Sequence, residues 1–133
     1  MINLQTMKIF VRATSLYNAS AVIVFLTPGF LPLLGVPLPN SPFWLWLPSI
    51  FACFAAVVLW FSARDLTTFG SFPYWNGLFR LAFVIVAFAL NFGDSVGQFI
   101  TYLALGDLVL ALGTIFGVKA VTQKTHWKLL TNT

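Results

Sequence analysis

VGQFITYLALGDLVLALGTIF, residues 96–116, decides the fold. As a helix it spans ~31 Å at ~1.5 Å per residue, matching the ~30 Å hydrocarbon core of a bilayer. Its one charge is Asp107. A carboxylate at that depth costs roughly 2.5–3.5 kcal/mol on insertion scales, so Asp107 should face protein or water and have a partner. The face around it carries Ile100, Ala104, Ala111 and Thr114. Gly106, Gly113 and Gly117 make an adjacent groove whose GxxxG pair suits a close helix contact, within the chain or with a second copy.

Composition extends this reading to the whole chain. With 133 residues, 59% hydrophobic and 8% charged, and a mean hydropathy of +0.92, the chain is a single membrane domain, not a soluble core under a solvated surface. The net charge of +4 comes from seven Lys and Arg scattered singly, without the clustered stripe of a nucleic-acid binder. Cys53 is the one cysteine and His126 the one histidine. Thiol redox chemistry, a bis-His haem and a structural metal site are therefore not expected.

Three further spans precede the fourth. Residues 7–27 form the first, with Ala19-Ser20-Ala21 lying before its most apolar part, which argues for a retained helix instead of a cleaved signal. Residues 28–42 hold five prolines among leucines, too broken for a span and too apolar for a solvated loop, so they form an outer interfacial connector with a short helical turn near Phe30. The second span, 43–63, is flanked by Trp44, Trp46 and Trp60 at headgroup levels, and Ala52, Ala55 and Ala56 suit close packing. The third, 74–93, places Asn76, Arg80, Val84, Ala87, Asn91 and Asp94 on one face, which should point into the bundle. Residues 117–133 form a basic tail, an interfacial or frayed helix.

All seven positive residues fall in the N-terminal segment, the central connector and its flanks, or the tail; the Pro-rich loop and the turn at 93–95 have none. The positive-inside rule then puts both termini in the cytoplasm. The expected fold is an all-α four-transmembrane-helix bundle; the bacterial inner membrane as its location is what the resemblance described below implies. Depth arithmetic suggests a partner for Asp107, which lies ~13 Å in from Phe116, against ~9 Å for Arg12 from Thr6 and ~5 Å for Arg80 from Gly77. Arg12 is the better match by level. The expected polar cluster is Asp107, Arg12 and Asn18, with Arg80 as a further member, either fixing helix register or flooring a ligand cavity. Asn91, Asp94 and Gln98, with Ser95, form a second polar group at the outer side.

Leu16-Tyr17-Asn18, residues 25–35 ending in Leu33-Leu34-Gly35, Ser62-Ala63-Arg64-Asp65, Tyr74-Trp75 through Arg80, and Gly106-Asp107-Leu108 together resemble the DoxX-like group of small bacterial membrane proteins. The resemblance implies a four-helix bundle with cytoplasmic termini and, for some relatives, association with quinone-linked or oxidative-stress membrane complexes. It transfers no catalytic motif, and the single cysteine separates this chain from relatives that work through thiols. The residues themselves offer no nucleophile, acid/base pair or metal-ligand set, so no catalytic residue and no obligatory cofactor are expected. The first functional expectation is a non-catalytic accessory or scaffold subunit, in contact with membrane lipids and with other membrane subunits or further copies of itself. The second is a binder or carrier of a hydrophobic small molecule, a quinone or lipid. A proton-coupled transporter acting as a dimer is third.

Overall fold

A computed structural model describes residues 2–133. Among the described residues the regular structure is entirely helical. Four helices are long and apolar enough to cross a membrane: α1 (Leu4–Leu26), α3 (Phe43–Ser62), α5 (Ser71–Ala89) and α7 (Gln98–Thr122). Four short helices join or follow them: α2 (Phe30–Leu33), α4 (Leu66–Phe69), α6 (Phe92–Ser95) and α8 (His126–Thr131). The long helices form two antiparallel hairpins, α1 along α3 and α5 along α7. Contact between the hairpins is sparser and runs mainly through α1 against α7.

Local chemistry sets the boundaries. Asn3 caps α1, its carboxamide oxygen accepting from the Thr6 amide at 2.8 Å, and Pro28 holds Thr27 in extended backbone that ends the helix. Gly29 turns the chain at φ +80 into α2, which buries Leu31 and leaves Leu33 facing out. The Pro-rich loop then reaches the start of α7. A Cβ on Gly97 (φ +135) would lie 2.6 Å from the Gly35 carbonyl, so only glycine fits that crossing.

Small residues fix the helix contacts. Ser15 on α1 donates to the Ala56 carbonyl of α3 at 2.6 Å, an approach that the buried Ala56 permits by having so little side chain. On α5, a Cβ at Gly77 would meet Ile115 at 2.9 Å and the Ala111 carbonyl at 3.2 Å, and one at Gly70 would reach Thr122 and Val118. These meetings set the α5/α7 register. The GxxxG pair is consumed inside the chain, because Gly113 receives Phe10 and Gly117 receives Met7, both from α1.

Several boundaries differ from those read from the sequence, beginning with α1, which starts at Leu4 and not at 7. Helix α5 begins at Ser71, before the expected 74, because Pro73 sits in the first turn, where no amide donor is required. Its far end stops at Ala89, and Asn91 in the left-handed region (φ 51) starts α6. Helix α7 does not end near Phe116 but runs to Thr122, with Gln123 as its left-handed cap (φ 55). The tail is not frayed. Helix α8 folds back on α5, where Leu129 is fully buried with Met7, Val11, Leu59, Tyr74 and Val118. The Tyr74 hydroxyl lies 2.6 Å from His126 Nδ1, and Trp75 Nε1 donates to the Leu130 carbonyl at 3.0 Å.

At the α3–α4 corner, Asp65 caps α4, accepting from the Thr67 hydroxyl (2.5 Å), the Thr67 amide (3.1 Å) and the Thr68 amide (3.3 Å). These bonds, the Thr67 side chain first, hold its carboxyl down to about 2. Because the folded pKa is depressed, the contribution of the cap is complete above the ordinary aspartate range and fades as pH falls towards 2. The stability difference between the wild type and Asp65→Ala should accordingly be full at neutral pH and shrink on acidification. A difference that stays constant across unfolding titrations from pH 7 to 2.5 would contradict this.

Candidate functional site: a buried polar cluster and the groove beside it

Arg80 is the hub of the interior. The register set by Gly70 and Gly77 brings it opposite Asp107, and its three nitrogens are each engaged. Nη1 donates to Asp107 Oδ1, Nη2 donates to Asn18 Oδ1, and Nε donates to Asn76 Oδ1 at 3.1 Å. The Tyr17 ring lies 5.1 Å from its Cζ, a cation–π contact. Arg80, Asp107 and Asn18 are all buried, at 7%, 8% and 9% exposure. Among the described residues Arg80–Asp107 is the one ion pair. A planar fork satisfied on three sides suits arginine and not lysine.

Arg12 does not belong to this cluster. It is exposed, and its Cζ stands 5.6 Å over the Trp60 ring on the outer side of the α1/α3 hairpin. Two physical facts overturn the level match. Arg80 lies nine positions after the true start of α5, ~13 Å in, not ~5 Å. Met7, Val11, Thr14, Ser15 and Asn18 form the inward stripe of α1, and Arg12, six residues before Asn18, is ~120° away around the helix. Thr14 and Thr114 are buried, but each hydroxyl bonds back to its own helix, at Phe10 and Leu110. Ala104 and Ala111 fill the remaining space on α7.

Two residues of the cluster were absent from the expected set. Asn76 carried a signal, since it lies one helical turn before Arg80 on the same polar stripe. Tyr17 carried only its adjacency to Asn18. One donor in the cluster is left over, because Asn18 Nδ2 is buried without an acceptor.

Asn91, Asp94 and Gln98 do come together at the opposite end. Asp94 accepts from Asn91 Nδ2 at 2.5 Å and from Gln98 Nε2 at 3.4 Å. With Gly93, Thr101 and Ala104 they line an opening of ~190 Å³ between α5 and α7. A Cβ on Gly93 would meet the Thr101 hydroxyl, so a larger residue there would have to turn that side chain aside. The carboxylate is thus occupied by its own turn.

A larger opening lies between α3 and α5, where the hairpins separate. Its ~590 Å³ are lined by Phe51, Phe54, Ala55, Val58, Phe79 and their neighbours, and Asn76 is the polar residue of that wall. It adjoins a second apolar hollow of ~290 Å³ through the shared Val58 and Phe72. Because Arg80 Nε can only donate, this bond takes the Asn76 oxygen and does not use its Nδ2 donor, and the same residue lines the groove. An apolar slot is thereby linked to the charged centre through one amide.

Among the described residues no three His, Cys, Asp or Glu side chains gather into a metal-binding group, and Cys53 is single and exposed. Comparison with family models, curated proteins and solved structures finds no match to this chain.

Proposed function

We propose that this is an integral protein of the bacterial inner membrane, with both termini cytoplasmic, that binds a hydrophobic small molecule bearing a carbonyl acceptor, a quinone or an ester lipid, in the α3/α5 groove. The observation that carries this reading is Asn76, whose oxygen accepts from Arg80 and which is the polar residue on the wall of an otherwise apolar slot of ~590 Å³; its Nδ2 is the donor that a carbonyl would meet. That volume lies within the usual range for small-molecule sites, which pair an apolar lining with a few placed polar groups. In lipid an unpaired amide donor is costly, so an acceptor-bearing occupant gains over a plain acyl chain. The elongated continuation past Val58 and Phe72 suits a chain-like tail. Membrane placement rests on the four apolar helices, and orientation on the clustering of positive residues at one end. DoxX-like membership is proposed on the segments quoted above.

A second reading, the accessory subunit, draws support from the outer face of α3, where Ile50, Phe51, Phe54, Val57 and Phe61 are all exposed. Gentle purification followed by native mass spectrometry and lipid extraction separates the two. The ligand reading expects a retained carbonyl-bearing molecule that both Asn76→Leu and the groove-filling Ala55→Trp abolish, with loss of at least tenfold in occupancy. Ala55→Trp leaves the Asn76–Arg80 bond in place, so it reports on the groove alone. Lipid content identical in all three proteins, or partner subunits recovered with an empty groove, would overturn the ligand reading.

A further inference from the structure

Where α7 ends, Phe116, Lys119, Ala120, Gln123, Lys124 and Thr125 line an open hollow of ~360 Å³. Gln123, left-handed at φ 55, ends the helix, and Lys124 just beyond it lines the same hollow as Lys119. This end is held in shape by two bonds, from the Gln123 amide to the Lys119 carbonyl at 3.0 Å and from the Lys124 amide to the Thr122 hydroxyl at 3.4 Å. Both lysines are half-buried. Since Arg80–Asp107 is the one ion pair among the described residues, neither lysine is neutralised by an acid.

Charge arithmetic favours an anion there. The C-terminus of α7 presents about half a negative charge, which on its own would repel an anion and complement Lys119. Two lysines outweigh it and leave the hollow positive by more than one unit. Towards the middle of α7 the hollow opens onto Phe116, Leu112, Val109, Leu105 and Tyr102. All five are exposed and spaced by three or four residues, so they form one apolar ridge along the helix. A positive hollow at the end of an apolar ridge matches a molecule with an anionic head and a long hydrocarbon tail.

We propose that the Lys119–Lys124 hollow binds the phosphate head group of an anionic membrane phospholipid, whose acyl chain lies along the α7 ridge. This rests on the membrane placement proposed above, but not on the α3/α5 groove, which is uncharged and formed by other helices. Lys119 and Lys124 supply the charge, Gln123 and Thr125 supply further polar groups, and Phe116 marks the boundary between head and tail.

The test uses the full chain in detergent, titrated with phosphatidylglycerol or phosphatidylcholine and read by native mass spectrometry. Phosphatidylglycerol should be retained in preference, with a preference that falls as salt is raised. Lys119→Gln and Lys124→Gln should each weaken it about fivefold, the effect of one basic residue near an anionic surface. Lys119→Arg with Lys124→Arg should preserve it, which separates charge from folding. Lys8→Gln with Arg64→Gln removes twice the charge of either single lysine change, elsewhere on the chain, and should leave the preference intact. Equal weakening by that control pair, absence of any preference for phosphatidylglycerol, or displacement of the lipid by millimolar inorganic phosphate would overturn the proposal. Retention of the neutral carbonyl-bearing molecule should not change in the lysine variants, so failure here is distinguishable from failure of the groove reading.

Discussion

Arg80→Leu should lower the stability of the bundle by about 3–5 kcal/mol, the usual cost of stripping one partner from a buried ion pair. The variant strands the Asp107 carboxylate, leaves Asn18 Oδ1 and Asn76 Oδ1 without their donor, and empties the space over the Tyr17 ring. Asp107→Leu alone should cost a comparable amount, because it leaves an uncompensated guanidinium. The double variant Arg80→Leu/Asp107→Leu should recover much of the loss, since apolar replacement of a buried pair is often close to neutral. Arg12→Leu is the control. Its contact with Trp60 is exposed, and its removal should cost about 1 kcal/mol or less. Denaturant unfolding in detergent, followed by circular dichroism and arranged as a double-mutant cycle, measures all four. Equal losses from Arg12→Leu and Arg80→Leu would refute Arg80 as the hub.

Gly113→Leu is the second large effect, at about 1–3 kcal/mol or above for overpacking a close contact. A Cβ there would stand 2.6 Å from Phe10 Cζ and within 3.4 Å of two more ring atoms, and an aromatic ring cannot bend out of the way. Helix α1 would have to lift from α7, which also disturbs the bond from Arg80 on α5 to Asn18 on α1. The three α7 glycines should rank by what they face. Gly117→Ala should cost less than Gly113→Ala, because its Cβ meets the flexible thioether of Met7 at 2.5 Å. Gly106→Ala meets only the Tyr17 hydroxyl at 4.0 Å and should be neutral or slightly stabilising through backbone entropy. Thermal unfolding of the three alanine variants checks the order, and a Gly106→Ala as damaging as Gly113→Ala would contradict this packing.

The long helices were legible because length and apolarity are properties of a segment by itself. Register was not, since it depends on which glycine meets which neighbour. Gly77 against Ala111 and Ile115 is invisible until both helices are placed, and that contact decides that Arg80 faces Asp107. The choice of Arg12 followed from hiding the first turn of α5, where Pro73 and its aromatic neighbours look like a connector. The stripe from Asn76 to Asp94 did mark the inward face of α5, and it contained both Arg80 and its supporting amide. The α8 fold-back was hidden for a different reason. Six residues carry too little periodicity to reveal a buried face, and the lysines around Leu129 and Leu130 point to a solvated tail.

The division into two hairpins bears on how such a chain enters a bilayer. Arg80 meets its counter-charge inside the α5/α7 hairpin, and Arg12 meets the Trp60 ring inside the α1/α3 hairpin. The α5/α7 hairpin therefore holds its two buried charges as a pair before it touches the other, whereas Arg12 is shielded only by the face of an indole. If the chain is inserted pairwise into the membrane proposed for it, neither Arg80 nor Asp107 faces hydrocarbon alone, and the roughly 2.5–3.5 kcal/mol penalty for each is reduced. The bond from Arg80 to Asn18 crosses between hairpins. It is a late event, made only on docking, and so reports assembly where the ion pair reports insertion.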